Sequence, residues 1–354
     1  MNQNKKIIER IIKRDESLLH ALKIMDSTGF RSLLVLDSDE KFAGILSIGD
    51  IQRAIIKNIP LETKISGILR KNPKIADIDT TLEQIKIEML QFRMEFFPVI
   101  DIDNHIQEVY FWDELFIEKK LPPRKQFNLP VVIMAGGVGS RLKPLTNVLP
   151  KPLLPIGDKS IIEEIFDRFG THGCNEFFIS VNYKADLIEY YINSKNHPYS
   201  IHFFHEEKPL GTAGSLFMLK GKISGTFFVT NCDILIEQDY AEILDYHKKN
   251  KNAITIVAAL KHYPIPYGVI ETGIDGELKV LQEKPEVTFK INSGMYILES
   301  NVLKEVPTKT FFHITELIDK VRKKGGKVGV FPVSEKSWKD LGGWNEYYKT
   351  LTPK

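Results

Sequence analysis

Four consecutive apolar residues, Val131–Met134, run straight into Ala135-Gly136-Gly137-Val138-Gly139-Ser140-Arg141. A stretch apolar at every position, not at every second one, fits a strand covered on both faces, and so the interior of a parallel sheet flanked by helices. The glycines that follow let backbone N–H groups approach a ligand with no side chain in the way. The alternation continues downstream: 177–181, 201–204, 226–230 and 253–259 read as strands, while 161–169, 184–193, 212–220 and 240–249 read as helices. Beyond Tyr267 it loosens into shorter strands, as if an antiparallel piece were inserted. The expected fold class of this half is α/β, a Rossmann-like, mostly parallel sheet.

The half before it repeats itself. At an offset of 64, Asp15 pairs with Asp79, Leu18 with Leu82, Met25 with Met89, Val35 with Val99 and Asp37 with Asp101, and a one-residue slip then aligns Asp50 with Asp113. Each copy reads as a polar cap, a helix, a strand, an acidic turn, a second strand and a second helix. Two such α+β units would bury their open faces against each other. Residues 8–117 resemble a tandem pair of CBS domains. The charged segment 117–129, with Pro122-Pro123, reads as a linker. The expected domains are 1–120 for the pair, 121–129 for the linker and 130–354 for the sheet.

Charge and composition narrow the field. With 48 basic and 46 acidic residues the chain has no general field for nucleic acid or membrane. No apolar run approaches the roughly 20 residues of a spanning helix. Met1 to Arg14 is charged and lacks the apolar core of a signal peptide. The two cysteines, Cys174 and Cys232, match no metal-ligand spacing and suit a reducing compartment, so a cytoplasmic protein is expected.

The chemistry is carried by four blocks. In the first, Arg141 offers phosphate a fork of donors, and Lys151, between Pro150 and Pro152, is a point charge on a stiff loop. Both are expected on solvent-facing loops. A P-loop would need Gly-Lys-Ser/Thr where Arg141-Leu142 stands, and a dinucleotide fingerprint would need a small residue at Leu142. Glu206-Glu207-Lys208-Pro209-Leu210-Gly211-Thr212-Ala213-Gly214 opens a helix-like stretch. Asp233 follows an apolar strand, where open α/β sheets bind ligands. Trp338-Lys339-Asp340-Leu341-Gly342-Gly343-Trp344 supplies a second carboxylate.

In this order and company the blocks resemble sugar-1-phosphate nucleotidyltransferases over residues 130–350. The resemblance implies a GT-A-like domain that takes a nucleoside triphosphate and a sugar 1-phosphate and releases pyrophosphate. It implies that Ala135, Gly136 and Gly137 lie against the nucleotide, that Arg141 holds the pyrophosphate end, and that Lys151 meets the phosphates at the reacting centre. Glu206, Gly211 and Thr212 would serve base and ribose. Asp233 and Asp340 would hold Mg²⁺, which two carboxylates with phosphates and water suit. Gly268, Glu283, Lys284 and Asn292 would line the sugar side, Glu283 accepting hydroxyls and Lys284 binding the sugar phosphate. Cys232 reads as a small buried neighbour.

The CBS-like half ahead of this domain resembles bacterial glucosamine-1-phosphate guanylyltransferases of the legionaminic acid route, which implies GTP and glucosamine 1-phosphate. Other hexose-1-phosphate guanylyl-, thymidylyl- or uridylyltransferases, mannose included, are the alternative. A non-catalytic nucleotide-sensing scaffold would be signalled by loss of Arg141, Lys151 or an aspartate, and none is lost. Gly44-Ile45-Leu46-Ser47-Ile48-Gly49-Asp50 fits the spacing at which CBS domains hold nucleotide ribose, so Ser47 and Asp50 are the expected adenine- or guanine-nucleotide contacts. The second copy has Gln107 and Tyr110 at the glycine and hydroxyl positions and reads as degraded. The alternative for the pair is packing without a ligand. A homo-oligomer is expected.

Overall fold

The computed structural model describes residues 2–116 and 124–351. The chain divides into two compact units, Met1–Pro123 and Arg124–Lys354. Of the segment read as a linker, residues 117–123 lie outside the described residues. Residues 124–129 pack on the second unit: Phe127 donates its N–H to the His172 carbonyl at 3.0 Å and stacks on the His172 and Phe228 rings.

The internal repeat of the first unit is visible in its sheets. In one, Ile11–Lys13 runs parallel to Ser32–Leu36, which pairs antiparallel with Phe42–Ser47. In the other, Ala76–Asp77, Phe96–Ile100 and Ile106–Phe111 pair in the same two senses. Ser17 and Thr81 cap the matching helices Leu18–Thr28 and Leu82–Phe92 by accepting backbone N–H bonds. Leu34 and Phe42 of one copy share a cluster with Phe96, Ile100, Val109 and Phe111 of the other, so the open faces are buried against each other. Burial of that kind, about 25 cal/mol per Å² of apolar surface, is what holds two small sheets that would be marginal apart.

The second unit is built on a seven-stranded sheet. Its strands are β1 (Val131–Met134), β2 (Glu176–Val181), β3 (Ser200–His205), β4 (Thr226–Asn231), β5 (Ile254–Pro264), β6 (Glu286–Glu299) and β7 (Val328–Val333). The spatial order is β3-β2-β1-β4-β6-β5-β7, and only β6 runs antiparallel to its neighbours. Val131, Val132 and Ile133 are fully buried, as the uninterrupted apolar run required. Helices Ile161–Gly170, Ala185–Ser194, Tyr240–Asn250 and Ile314–Lys323 cover the sheet. Sequence order reverses between β1 and β4, which makes their carboxyl ends the switch point where such sheets hold ligands.

Two readings of the sequence need correction. Residues 212–220 form a short 3₁₀ helix, Gly214–Leu219, not an α-helix. The Ala213 N–H bonds to the Phe312 carbonyl at 3.0 Å and Ala213 has φ −143°, so the turn that would nucleate an α-helix is diverted to a neighbouring segment. The antiparallel insertion is present, yet it contains the longest strand of the sheet, β6, with 14 residues. Beyond the sheet, β5 and β6 continue as an antiparallel arm, Ala258 opposite Asn292 through Pro264 opposite Glu286, with the hairpin Val269–Thr272/Leu278–Gln282 between them in sequence.

At the far end of the sheet His247 is 1% exposed, with Nδ1 2.8 Å from the Thr255 hydroxyl and Nε2 3.1 Å from Glu299. Burial lowers its pKa below 6.5, and Glu299 opposes this only in part. A folded pKa below the unfolded one means the unfolded chain binds more protons, so this stabilisation is complete above about pH 6.5 and is lost as pH falls through the folded pKa. The melting temperature is expected to fall between pH 7 and 5.5, and His247→Gln to flatten that slope. An identical slope in the variant would assign it to other groups.

Candidate active site

Asp233 and Asp340 lie 107 positions apart in the sequence, and a two-stranded ladder brings them together. Ile234–Ile236 pairs antiparallel with Trp338–Asp340, placing Ile234 opposite Asp340. The Leu341 N–H then donates to the Asp233 carbonyl at 2.9 Å. Gly342 makes the approach possible: a Cβ there would stand 2.6 Å from Asp340 Oδ1 and 2.9 Å from Asp233 Oδ2. Its N–H instead donates to Asp340 Oδ1 at 2.8 Å.

Two cations from the β1 side face these carboxylates. Lys151 Nζ makes an ion pair with Asp233 Oδ2. Arg141 Nη2 lies 4.0 Å from the same oxygen, and its Nη1 lies 3.8 Å from Asp340 Oδ2. The expectation that both cations stand on solvent-facing loops holds for Arg141, whose side chain is 65% exposed, and fails for Lys151, which is 8% exposed. Pro150 and the 3₁₀ turn Lys151–Leu153 fold the lysine inward against Asp233.

The glycine loop is held in shape by its neighbours. Gly139 has φ +67°, and its carbonyl accepts from Thr146 Oγ1 at 3.0 Å. Tyr183 Oη donates to the Thr146 carbonyl at 3.0 Å, and Trp344 Nε1 donates to the Lys143 carbonyl at 3.0 Å. Trp344 thus ties the Arg141 loop to the segment bearing Asp340. Such a bond contributes roughly 1 kcal/mol net. Trp344→Phe, which keeps an aromatic side chain and removes the indole donor, is expected to raise amide exchange over residues 139–146 several-fold. Unchanged exchange would show that the bond carries no load.

The nucleotide-side residues divide. A Cβ on Gly137 would meet nothing within 4 Å, so the space above it is open to a ligand. Ala135 is 1% exposed and its N–H is spent on the Ser180 carbonyl. Glu206 is buried, with its carboxylate engaged by Ser180 Oγ and by the Leu210 N–H at 2.9 Å. Glu206 therefore shapes the loop, and only glycine at 136 allows it, since a Cβ would stand 2.9 Å from Oε1. Gly211, at φ +79°, presses on the Phe312 carbonyl, and Thr212 Oγ1 accepts from the Ile314 N–H at 2.9 Å. Ser180, unnoticed in the sequence, was signalled there by a hydroxyl inside an otherwise apolar strand.

On the sugar side, Thr230 pairs with Met295, which sets Gly294 against the Asn231 side chain, two residues from Asp233. Asn292 accepts the Gly294 N–H at 3.2 Å and is exposed. Gly268 and Glu283 meet on the arm, a Cβ on Gly268 standing 3.2 Å from Glu283 Oε2. Lys284 is exposed beside them with φ +44°. Burial pushes the Cys232 and Cys174 thiols up to about 12, so neither is a thiolate nucleophile.

In the first unit, Ser47 and Asp50 form a capping box on helix Ile48–Ile56. Asp50 accepts from Ser47 N and Oγ at 3.0 and 2.6 Å, from Arg70 Nε at 2.8 Å and from Arg53. Burial alone would push its pKa up, but the bonds from Ser47, Arg70 and Arg53 outweigh it and hold it below the usual carboxylate value. A cavity of about 370 Å³ lies elsewhere in this unit, between Arg10 and Phe30 on the side of the first copy and Glu95, Phe111, Trp112 and Asp113 of the second.

Among the described residues no group of three or more His, Cys, Asp or Glu side chains could enclose a metal. The donor set at the switch point is two carboxylates, all oxygen, with two cations already standing against them. That fits a hard divalent ion whose shell is completed by water and phosphate.

Known proteins resemble both parts of the chain. The family model described as Nucleotidyl transferase matches residues 130–352, and that described as CBS domain matches residues 4–57. The mannose-1-phosphate guanylyltransferase catalytic subunit beta of Drosophila pseudoobscura pseudoobscura is 34% identical over 185 residues, 50% of this chain and 50% of that protein. The mannose-1-phosphate guanyltransferase of Yarrowia lipolytica (strain CLIB 122 / E 150) is 36% identical over 181 residues, 49% of this chain and 50% of its own. The chain spans about half the length of the curated relatives it matches. The crystal structure of HddC from Yersinia pseudotuberculosis has 28% identity and a TM-score of 0.50, covering 63% of this chain and 97% of HddC. With Arg141, Lys151, Asp233 and Asp340 all inside the matched region, the chain belongs to the nucleotidyl transferase family and carries a CBS domain ahead of that region.

Proposed function

We propose that this protein is a sugar-1-phosphate guanylyltransferase that joins GTP and a hexose 1-phosphate and releases pyrophosphate in the cytoplasm. The observation that carries the reading is the convergence of Arg141, Lys151, Asp233 and Asp340 at the switch point of the sheet. Transfer at phosphorus needs positioning and charge neutralisation more than covalent help. An oxygen of the sugar phosphate attacks the α-phosphorus while the bond to the pyrophosphate oxygen breaks. The attacking oxygen is already ionised, so no general base is needed. Lys151 meets charge growing on the α-phosphate, and Arg141 holds the departing pyrophosphate. Asp233 and Asp340 are the residues that would hold Mg²⁺, which supplies neutralisation of the triphosphate oxygens. Gly137 leaves room for the nucleotide, and the Glu283 carboxylate accepts from sugar hydroxyls or an amine alike.

GTP is supported by the printed names of the guanylyltransferase relatives. Those names also favour mannose 1-phosphate, whereas the CBS-fused arrangement favours glucosamine 1-phosphate as acceptor. Pyrophosphate release with four nucleoside triphosphates against a panel of sugar 1-phosphates decides both. Release is expected only with triphosphate, acceptor and Mg²⁺ together. Turnover undiminished in a chelator would remove the metal, and no release with any pair would remove the reading. An adenine or guanine nucleotide at Ser47 and Asp50 requires Arg53 and Arg70 to let go of the carboxylate. Calorimetry with AMP, ATP and GMP on the full chain and on Asp50→Ala tests that regulatory site.

A further inference from the structure

The end of the seven-stranded sheet opposite the aspartates carries a charge that the chemistry does not use. Here β4, β5 and β7 begin and antiparallel β6 ends, and the loops around them are tied together. The Gly225 N–H donates to Ser300 Oγ at 3.0 Å, and the Ser300 N–H to the Gly225 carbonyl at 2.8 Å. The Glu299 N–H donates to the Ala253 carbonyl at 3.0 Å, and the Ala253 N–H to the Lys327 carbonyl at 2.7 Å. Segments 220–225, 248–252, 299–305 and 319–327 therefore form one continuous rim. They hold eleven lysine or arginine residues and three carboxylates, a formal +8 in a chain whose total is +2. All eleven cations are exposed.

The carboxylates of the rim are already engaged. Glu305 faces Lys320 and Lys324 at 3.4 and 2.8 Å, Asp319 faces Arg322 and Lys323 at 3.1 and 2.6 Å, and Glu299 faces His247. Lys222, Lys248, Lys249, Lys251, Lys304 and Lys327 have no carboxylate within ion-pair distance among the described residues. The negative end of helix Tyr240–Asn250 accounts for Lys248 and Lys249 in its last turn, and not for Lys222, Lys304 or Lys327. Among the described residues the four segments expose no large apolar side chain, and their one arginine is held by Asp319. Stacking on bases needs exposed rings, and forked recognition of a phosphate needs a free guanidinium. Lysines without either act as point charges, which suit a dense layer of phosphates met in no fixed orientation.

We infer that this rim docks the protein on a bilayer surface of anionic phosphate headgroups, reversibly and without insertion. The catalytic end stays open to water, because Asp233 follows the other end of β4, about 20 Å away at roughly 3.3 Å per residue. The docking stands on charge and position alone and is independent of the transferase reading.

The probe is a vesicle, sedimented with the full chain: phosphatidylcholine alone, or phosphatidylcholine mixed equally with phosphatidylglycerol. Wild type is expected to sediment with the mixed vesicles only, and to be released as salt rises from about 0.1 to 1 M and the screening length falls from about 10 to 3 Å. The triple variant Lys248→Glu/Lys249→Glu/Lys251→Glu is expected to bind about a hundredfold more weakly, at roughly fivefold for each lysine near the surface. These side chains are exposed, so its thermal melt should match wild type, and any pyrophosphate release measured without vesicles should be unchanged. Replacing the same three lysines by arginine should preserve binding. Wild type that ignores phosphatidylglycerol at low salt overturns the docking, as does a folded triple glutamate variant that binds as tightly as wild type. Duplex DNA of equal phosphate concentration that displaces the protein from the vesicles at low salt would reassign the rim to nucleic acid and overturn it too.

Discussion

Asp233→Asn is expected to lower pyrophosphate release by about three orders of magnitude, roughly 4 kcal/mol of transition-state stabilisation. Asp233 sits at the carboxyl end of β4, is 7% exposed, and is approached by both Lys151 and Arg141. The amide keeps its shape and removes its charge. Asp340 faces the Arg141 cation, and its side chain is 29% exposed. Asp340→Asn should therefore cost less, about 10², and should recover in part at higher Mg²⁺, because one ligand of an otherwise intact set has been weakened. Steady-state assays over a Mg²⁺ series, with thermal melts to verify folding, give the ranking. A folded Asp233→Asn protein within tenfold of wild type would place the chemistry elsewhere.

Much of this arrangement was legible before the fold was known, for identifiable reasons. Three of the four residues of the strand entering the glycine loop are fully buried, so its sequence is apolar throughout and the strand-to-glycine-turn order reads directly. The position of Asp233 was legible because it directly follows an apolar strand, and carboxyl ends of strands are where open α/β sheets hold ligands. What escaped was set by distant pairing. Nothing local in Trp338-Lys339-Asp340 says that it will pair with Ile234–Ile236, and nothing near Lys151 says that Pro150 turns it inward against Asp233. A carboxylate in a glycine-rich loop looks available in the sequence, whereas Ser180 on a neighbouring strand and the Leu210 N–H engage Glu206 in the fold. The stretch 212–220 misled in the same way: its apolar spacing is helical, and the competing partner, the Phe312 carbonyl, lies about a hundred residues along the chain.

Lys151 and Arg141 face the same oxygen of Asp233, and burial separates what their loss will do. Each replaced by alanine should cost about 10² or more in rate, as removal of preorganised charge commonly does. Only Lys151→Ala should also destabilise the protein. Its ammonium is 8% exposed and its partner 7% exposed, so removing one member leaves the other charged and buried, which costs about 3–5 kcal/mol. For a unit of this size that corresponds to a fall of roughly 10 °C in the melting temperature. Arg141→Ala should melt with wild type, because its guanidinium is 65% exposed and water replaces it. The double variant Lys151→Met/Asp233→Asn removes both charges and should recover most of the lost stability while remaining inactive, a coupling that the single variants cannot produce additively. Were Lys151→Ala to melt at the wild-type temperature, the pair would be solvated in solution, and the inward turn at Pro150 would have to be abandoned as the feature that sets this lysine apart from the arginine beside it.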